Sequence, residues 1–523
     1  MDAKKTPGVY IDELNAFPSA VEEAATAIPA FVGHTQFADN GGTSLSFKPW
    51  LISSMAEYCQ YFGFGPNPRF SIAEKADPSL PTDFRVIGKG GKLTEYVLQQ
   101  LAGRDGGRYM LYNAMRHFFM NGGGVCYIVS VGNYESDLAT EHFSRGIDEL
   151  LKEQEPTMLV IPEAVLLPQT QCITLQQGML RHCGQQMKNR VAILDIWNGD
   201  KPRNDPGGDP IDLFRNSLGA DSLDYGAAYY PWLNTVVVSD DELSYENVAS
   251  ADMLQVLLRN DLGLPKMAPE SASPEERGNI QAIADLTKDW SKVEPALTSD
   301  DVRAYKAQLN KTLRTISPLF KTVMGLVKSK LNLMPPSAAM AGIYTVADST
   351  QGVWCAPANV SPVGVVSPSV LLSDQNQEDL NVTAQGTSIN AIRFFNGIGV
   401  LVWGARTLDG NSADWRYISV RRTMIMIEQS CQRALKGLEF KPNTVATWVL
   451  VRSMFDDLLT KLWMRGALVG ARPNAAFTVS CGLGDTMTAN DILEGCLRVV
   501  MKIALVHPNE FIEVTFQQQM QTS

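Results

Sequence analysis

The sequence is poor in the side chains on which most catalytic and metal sites depend. It holds five His, at 34, 117, 142, 182 and 507, scattered over 523 residues. Eight Cys stand at 59, 126, 172, 183, 355, 431, 481 and 496; no pair forms CxxC, and the closest lie 11 and 15 residues apart. That spacing lacks the framework of a disulfide-stapled secreted fold. Several Cys sit in apolar runs such as VCYIVSV and EGCLRVV, where a reduced thiol acts as a small hydrophobe. Basic charge is short as well: 45 Lys and Arg against 56 Asp and Glu leave a net charge of -11. A nucleic-acid binder needs a basic patch, so this balance argues against nucleic acid as a partner. No apolar run approaches the ~20 residues of a membrane-spanning helix, and the first 30 residues lack the apolar centre of a signal peptide. The expectation is assembly in the cytoplasm without direct membrane insertion.

The short motifs of chemistry are missing too. No HExxH, GxSxG or EF-hand loop occurs. GKGGK (88–92) lacks the spacing and the final Ser or Thr of a phosphate loop, so a surface turn is the better reading. GGG (122–124) lies between a helix and a strand, the reverse of the order that points a helix N-terminus at a phosphate. His182 and Cys183 are neighbours on an expected helix, where adjacent side chains diverge, so they make a poor nucleophile and base. Asp300-Asp301 and Asp456-Asp457 read as solvated helix faces for the same reason. Arg421-Arg422 are expected to follow a strand, as an interface salt bridge or a plain surface pair. No catalytic, cofactor or metal residue is assigned, and the chain is not expected to be an enzyme.

What the sequence has is core material and alternation. Its 45% hydrophobic and 19% charged residues fit ordinary globular protein, and its length implies two to four domains. AIPAFVGHT (27–35) reads as a strand, SMAEYCQYFG (54–63) as a short helix, and residues 65–84 as a Pro-punctuated loop. Residues 94–124 read as a helix running up to the glycines, followed by the strand VCYIVSV (125–131). TMLVIPEA (157–164) and NRVAILDIW (189–197) are further apolar strands between helices. This is an α/β pattern whose continuous apolar strands imply a sheet covered on both faces. Residues 238–334 are charged and amphipathic, hence helical, and 335–366 read as loop and short strand. INAIRFFNGIGVLVWGARTL (389–408) holds two strand-like runs about a Gly turn. WRYISVRRTMIMIEQSCQRALKGLEF (415–440) reads as a strand entering a helix, and 444–468 as a long helix. AAFTVSCG (475–482), LRVVMKIALVHP (497–508) and EFIEVTFQQQ (510–519) read as strands.

Two strand signals have no local partner. PGVYIDE (7–13) opens the chain, with Val9, Tyr10 and Ile11 at its centre. EFIEVTF (510–516) closes it, with Phe511 at its start and Ile512, Val514 and Phe516 alternating with Glu513 and Thr515 in the period of two that marks a strand. Each needs a distant part of the fold or another molecule to pair with.

Taken in order, PGVYIDE, AIPAFVGHT, FFMNGGGVCYIVSV (118–131), QGVWCAPAN (351–359), NAIRFFNGIGVLVWGARTL (390–408), WRYISVRRTMIMIEQS (415–430) and residues 477–514 resemble the contractile tail sheath family of phage tails, R-type pyocins and extracellular contractile injection systems. Asn396, Ile398 and Cys355 depart from the family pattern. The resemblance implies an α/β (α+β multidomain) tail-sheath-like fold: an arm and linker at 1–26, core parts at 27–93 and 351–508, an α/β insertion at 94–237, a mostly helical insertion at 238–350 and an arm strand at 509–523. It also implies a structural subunit, a homo-oligomer of stacked hexameric rings around an inner tube, which contracts to drive the tube through a target envelope. Partners would be the inner tube protein, baseplate and terminator or cap proteins, in a phage tail or an extracellular particle released by lysis or anchored at a membrane. Val9, Tyr10, Ile11, Phe511, Ile512, Val514 and Phe516 would add strands to neighbouring subunits, and residues 14–26 would be the linker on which the first arm swings. The alternatives are a type VI secretion sheath component or an enzyme with a site in residues 94–200.

Overall fold

The computed structural model describes residues 21–76, 81–87, 91–292, 298–382 and 386–511. Val9, Tyr10, Ile11, Ile512, Val514 and Phe516, and with them nearly all of both expected arm strands, lie outside the described residues. The described residues divide into two compact units, one lying within 27–350 and 356–418, the other formed by 21–26, 351–355 and 419–511.

The larger unit is built on an eight-stranded sheet. Its order in space is Gly399–Val402, Asn390–Phe395, Gly226–Tyr230, Val191–Asp195, Met158–Val160, Pro29–Thr35, Cys126–Asn133 and Trp50–Ile52. The six inner strands run parallel, and one antiparallel strand closes each side. PAFVGHT and VAILD are buried at every position, as strands covered on both faces must be. Successive side chains divide between the faces. Phe31 meets the Phe118 ring of helix Leu111–Met120 at 5.0 Å. Val32 points the other way, against Gly146 of helix Thr140–Glu149, where a Cβ would come within 2.8 Å of the Val32 side chain.

This sheet takes strands from both expected core parts, 27–93 and 351–508, and from the expected α/β insertion between them. Hydrophobic period reports that a segment is a strand and which face is apolar, but not which strand lies beside it.

A second, antiparallel sheet joins Phe70–Glu74, Leu93–Gln100 and Phe84–Ile87. Here the expectation needs correction twice. The Pro-rich segment 65–84 contains a strand, and TEYVLQQ is a strand rather than the start of the helix, which runs only from Leu111 to Met120. Phe84 and Tyr96 stack across the ladder at 5.3 Å, a cross-strand aromatic pair that favours the sheet over the helix. Four helices cover it: Ala251–Asp261, Pro274–Ala284, Ser299–Ile316 and Pro318–Leu331. Leu254, Leu258, Leu313, Phe320, Val323 and Val327 form a common core with Phe70 and Leu98. The helical reading of 238–334 agrees with this. A third correction is helix Ser337–Thr350, which stands where loop was expected. Its first eight residues, SAAMAGIY, are all buried, and so much burial leaves no amphipathic stripe to read.

The smaller unit packs helix Ile418–Lys436 and helix Val445–Met464 beside a two-stranded antiparallel sheet, Phe477–Ser480 with Val500–Ile503. Its core includes Val353, Trp354, Ile427, Val451, Phe455, Leu458, Leu459, Leu462 and Phe477. The expected strand at 415 is instead the approach to a helix that starts at Ile418.

Candidate functional site

The carboxyl ends of parallel strands are where an α/β sheet usually binds ligands, and they are the place to test the enzyme alternative. Glu163 follows the Met158–Val160 strand and is fully buried. Its Oε1 accepts the Met110 and Leu111 amides at 3.0 and 3.1 Å, at the start of helix Leu111–Met120. Its Oε2 accepts the His34 amide at 2.9 Å and lies 2.9 Å from His34 Nδ1. Asp195 ends its strand and accepts the Ser337 amide at 2.8 Å and the Ser337 hydroxyl, at the start of helix Ser337–Thr350. Both carboxylates therefore act as helix caps.

His182 and Cys183 lie in the wide helical turn His182–Met187 and are buried. Burial, helped by the Arg190 guanidinium, pulls His182 down to about 4, and burial pushes the Cys183 thiol up to about 12. Neither is poised as a base or a nucleophile at neutral pH. Asp457 pairs with Lys461 at 2.7 Å one turn on, and Asp301 caps its own helix through Thr298. These are helix-surface roles, as expected.

The smaller unit offers a different kind of site. Its two strands pair Phe477 with Ile503, Thr478 with Lys502, Val479 with Met501 and Ser480 with Val500. Phe477, Val479, Met501 and Ile503 turn inward onto the helical core, while Thr478 and Lys502 face solvent. Among the described residues no third named strand joins this sheet; just beyond its second strand the Val469 amide donates to the Ala504 carbonyl at 2.8 Å and the Val506 amide to the Ala467 carbonyl at 3.2 Å. Val469, Leu483 and Leu493 of this unit, and Val500 in the sheet itself, are exposed apolar side chains. Phe511, the one expected arm residue that is described, is 73% exposed.

Arg421 and Arg422, expected after a strand and at a surface or interface, stand elsewhere in the local structure. They lie within helix Ile418–Lys436 and are buried, and Arg422 Nη2 donates to the Thr26 carbonyl at 2.8 Å. A guanidinium with five donors suits a place where the chain crosses a helix.

Comparison with known proteins fits this geometry. The architecture is that of sheath proteins from contractile particles. A chain of the anti-feeding prophage helical sheath in its contracted state is 25% identical, with a TM-score of 0.58 over 99% of this chain and 100% of that one. A chain of the PVC sheath complex, an extracellular contractile injection system in its contracted state, gives 24% and 0.56 over 99% of each chain. A chain of the six-fold symmetrised anti-feeding prophage baseplate gives 24% and 0.57 over 99% and 100%. Residues 411–519 match the family model of the phage tail sheath C-terminal domain. The fold is thus that of contractile sheath proteins, and the family match is confined to the C-terminal part of the chain. No curated protein matches the sequence.

Proposed function

We propose that this chain is the structural subunit of a contractile sheath that stacks as hexameric rings around an inner tube and shortens to drive that tube through a target envelope. The observation that carries the reading is the end-to-end likeness to the contracted anti-feeding prophage sheath. Two strand-like segments, PGVYIDE and EFIEVTF, would need acceptor strands on neighbouring subunits, and the small sheet of the C-terminal unit, which no third named strand joins among the described residues, is the candidate acceptor. Strand addition would supply main-chain hydrogen bonds for affinity and alternate side chains for register. Contraction would then be rigid-body movement of subunits about these links.

The role is structural rather than catalytic, and the carboxylates that could have served an enzyme are committed to helix caps. The likeness spans each single chain almost completely, which favours a one-chain sheath over a type VI sheath divided between two chains. Tube, baseplate and terminator proteins would be the partners, in an extracellular or phage-tail particle assembled in the cytoplasm. Among the described residues no helix is long and apolar enough to cross a membrane.

Deleting residues 1–13 tests the reading. The expected product is a folded monomer that forms no long tubes in negative-stain microscopy; full-length tubes would overturn the arm assignment.

A further inference from the structure

The sequence casts residues 14–26 as one linker on which the N-terminal arm swings. Its second half does something else. Val21 is buried in the core of the smaller unit, beside Trp354, Phe455 and Leu458 in one cluster. The Ala24 amide donates to Ser430 Oγ at 2.8 Å, and both residues are buried. Glu23 pairs with Arg465, whose guanidinium stands 4.8 Å over the Trp354 ring. Arg422 holds the Thr26 carbonyl. A loose linker has none of these features. This one has an apolar anchor, a buried amide bond, an ion pair on an aromatic platform and a guanidinium clamp within six residues. Only Glu22 and Ala25 project no contact of this kind, and both are exposed.

We infer that residues 21–26 are a strap that stays fastened to the smaller unit and forms the fixed root of the N-terminal arm, so that its pivot lies before Val21. This rests on the arm reading proposed above and deepens it. The consequence is one of reach. From Ile11 to Val21 the chain can span at most about 35 Å, at ~3.3–3.6 Å per residue. If the strap paid out as far as Ala27, the limit would rise to about 55 Å on the same scale. A fastened strap therefore removes roughly 20 Å of slack, and neighbouring subunits are held on a short tether in every state of the lattice.

Hydrogen exchange with mass spectrometry on the full chain tests this, following peptides that span residues 21–26. In the monomer these amides should exchange well below the random-coil rate, and their protection should persist in assembled sheaths. Ser430→Ala should speed exchange of this segment about fivefold through loss of one buried hydrogen bond. Arg465→Glu should speed it about threefold through loss of an exposed ion pair. Random-coil exchange in the monomer overturns the strap, and protection present in the monomer but lost on assembly overturns the fixed root. The 1–13 deletion separates the two ideas. If the deleted protein forms tubes while the strap stays protected, the arm reading fails and the strap does not.

Discussion

Asp195→Asn offers a quantitative test of how the larger unit is held together. Asp195 is buried, and its side chain accepts the amide and hydroxyl of Ser337 at the start of helix Ser337–Thr350. Burial is the larger influence and pushes the carboxyl up to about 7, while the two Ser337 bonds oppose it. The sign follows from linkage. The unfolded carboxyl titrates near 3.9, so between about pH 4 and pH 7 the native state binds more protons than the unfolded one. Stability then falls as pH rises through that window, by up to ~1.36 kcal/mol per pH unit, or about 4 kcal/mol in all. Above pH ~7 the loss is complete and constant. An Asn at 195 stays neutral and can still accept one Ser337 donor. The variant should therefore gain on the wild type by about 4 kcal/mol between pH 4 and pH 7.5, whatever its offset at low pH. Urea titrations across this range check it, with both proteins on the 1–13-deleted background so that polymerisation does not intervene. A stability gap that stays constant with pH, or that moves against the variant as pH rises, would refute the reasoning.

Two further outcomes are expected. Phe455→Ala removes a fully buried ring from the core of the smaller unit and should cost about 3–5 kcal/mol in monomer stability, read from urea midpoints. Val514→Asp places a charge on the apolar face of the C-terminal strand signal; polymerisation should stop while far-UV circular dichroism of the monomer stays unchanged. A global loss of structure in that variant would place the strand inside the monomer core.

The parts of the fold legible in the sequence are those whose local pattern and tertiary setting agree. PAFVGHT and VAILD are continuous apolar runs and are buried strands. Helix Met55–Phe62 shows its start in Ser54, whose hydroxyl accepts the Glu57 amide, and its stop in Gly63, whose φ of 81° few other residues tolerate. TEYVLQQ went the other way because its strand character depends on Phe84 and Val86 across the ladder. Helix Ser337–Thr350 stayed hidden because it follows two prolines, is built of small residues and is capped by Asp195, 142 positions earlier. Arg421 and Arg422 were misplaced by the same gap in information. Adjacent arginines look like a surface pair until a carbonyl 396 positions away is seen to lie against one of them.

The candidate site was legible in a different sense. Glu163 and Asp195, the buried carboxyls at the ends of the parallel strands, are already satisfied by their own fold. The features that bear on the proposed assembly are deficits instead: strand signals without local partners and a sheet of only two named strands among the described residues. A two-stranded sheet is marginal alone, and this one survives because Phe477, Val479, Met501 and Ile503 rest on the helical core. In the proposed sheath a strand added to this sheet would form its main-chain hydrogen bonds only on assembly, which would tie that energy to polymerisation rather than to folding. The strap adds a geometric condition. With Val21 buried and Ala24 bound to Ser430, an incoming arm is presented from a fixed point, so its reach and not only its affinity selects which neighbour it can join.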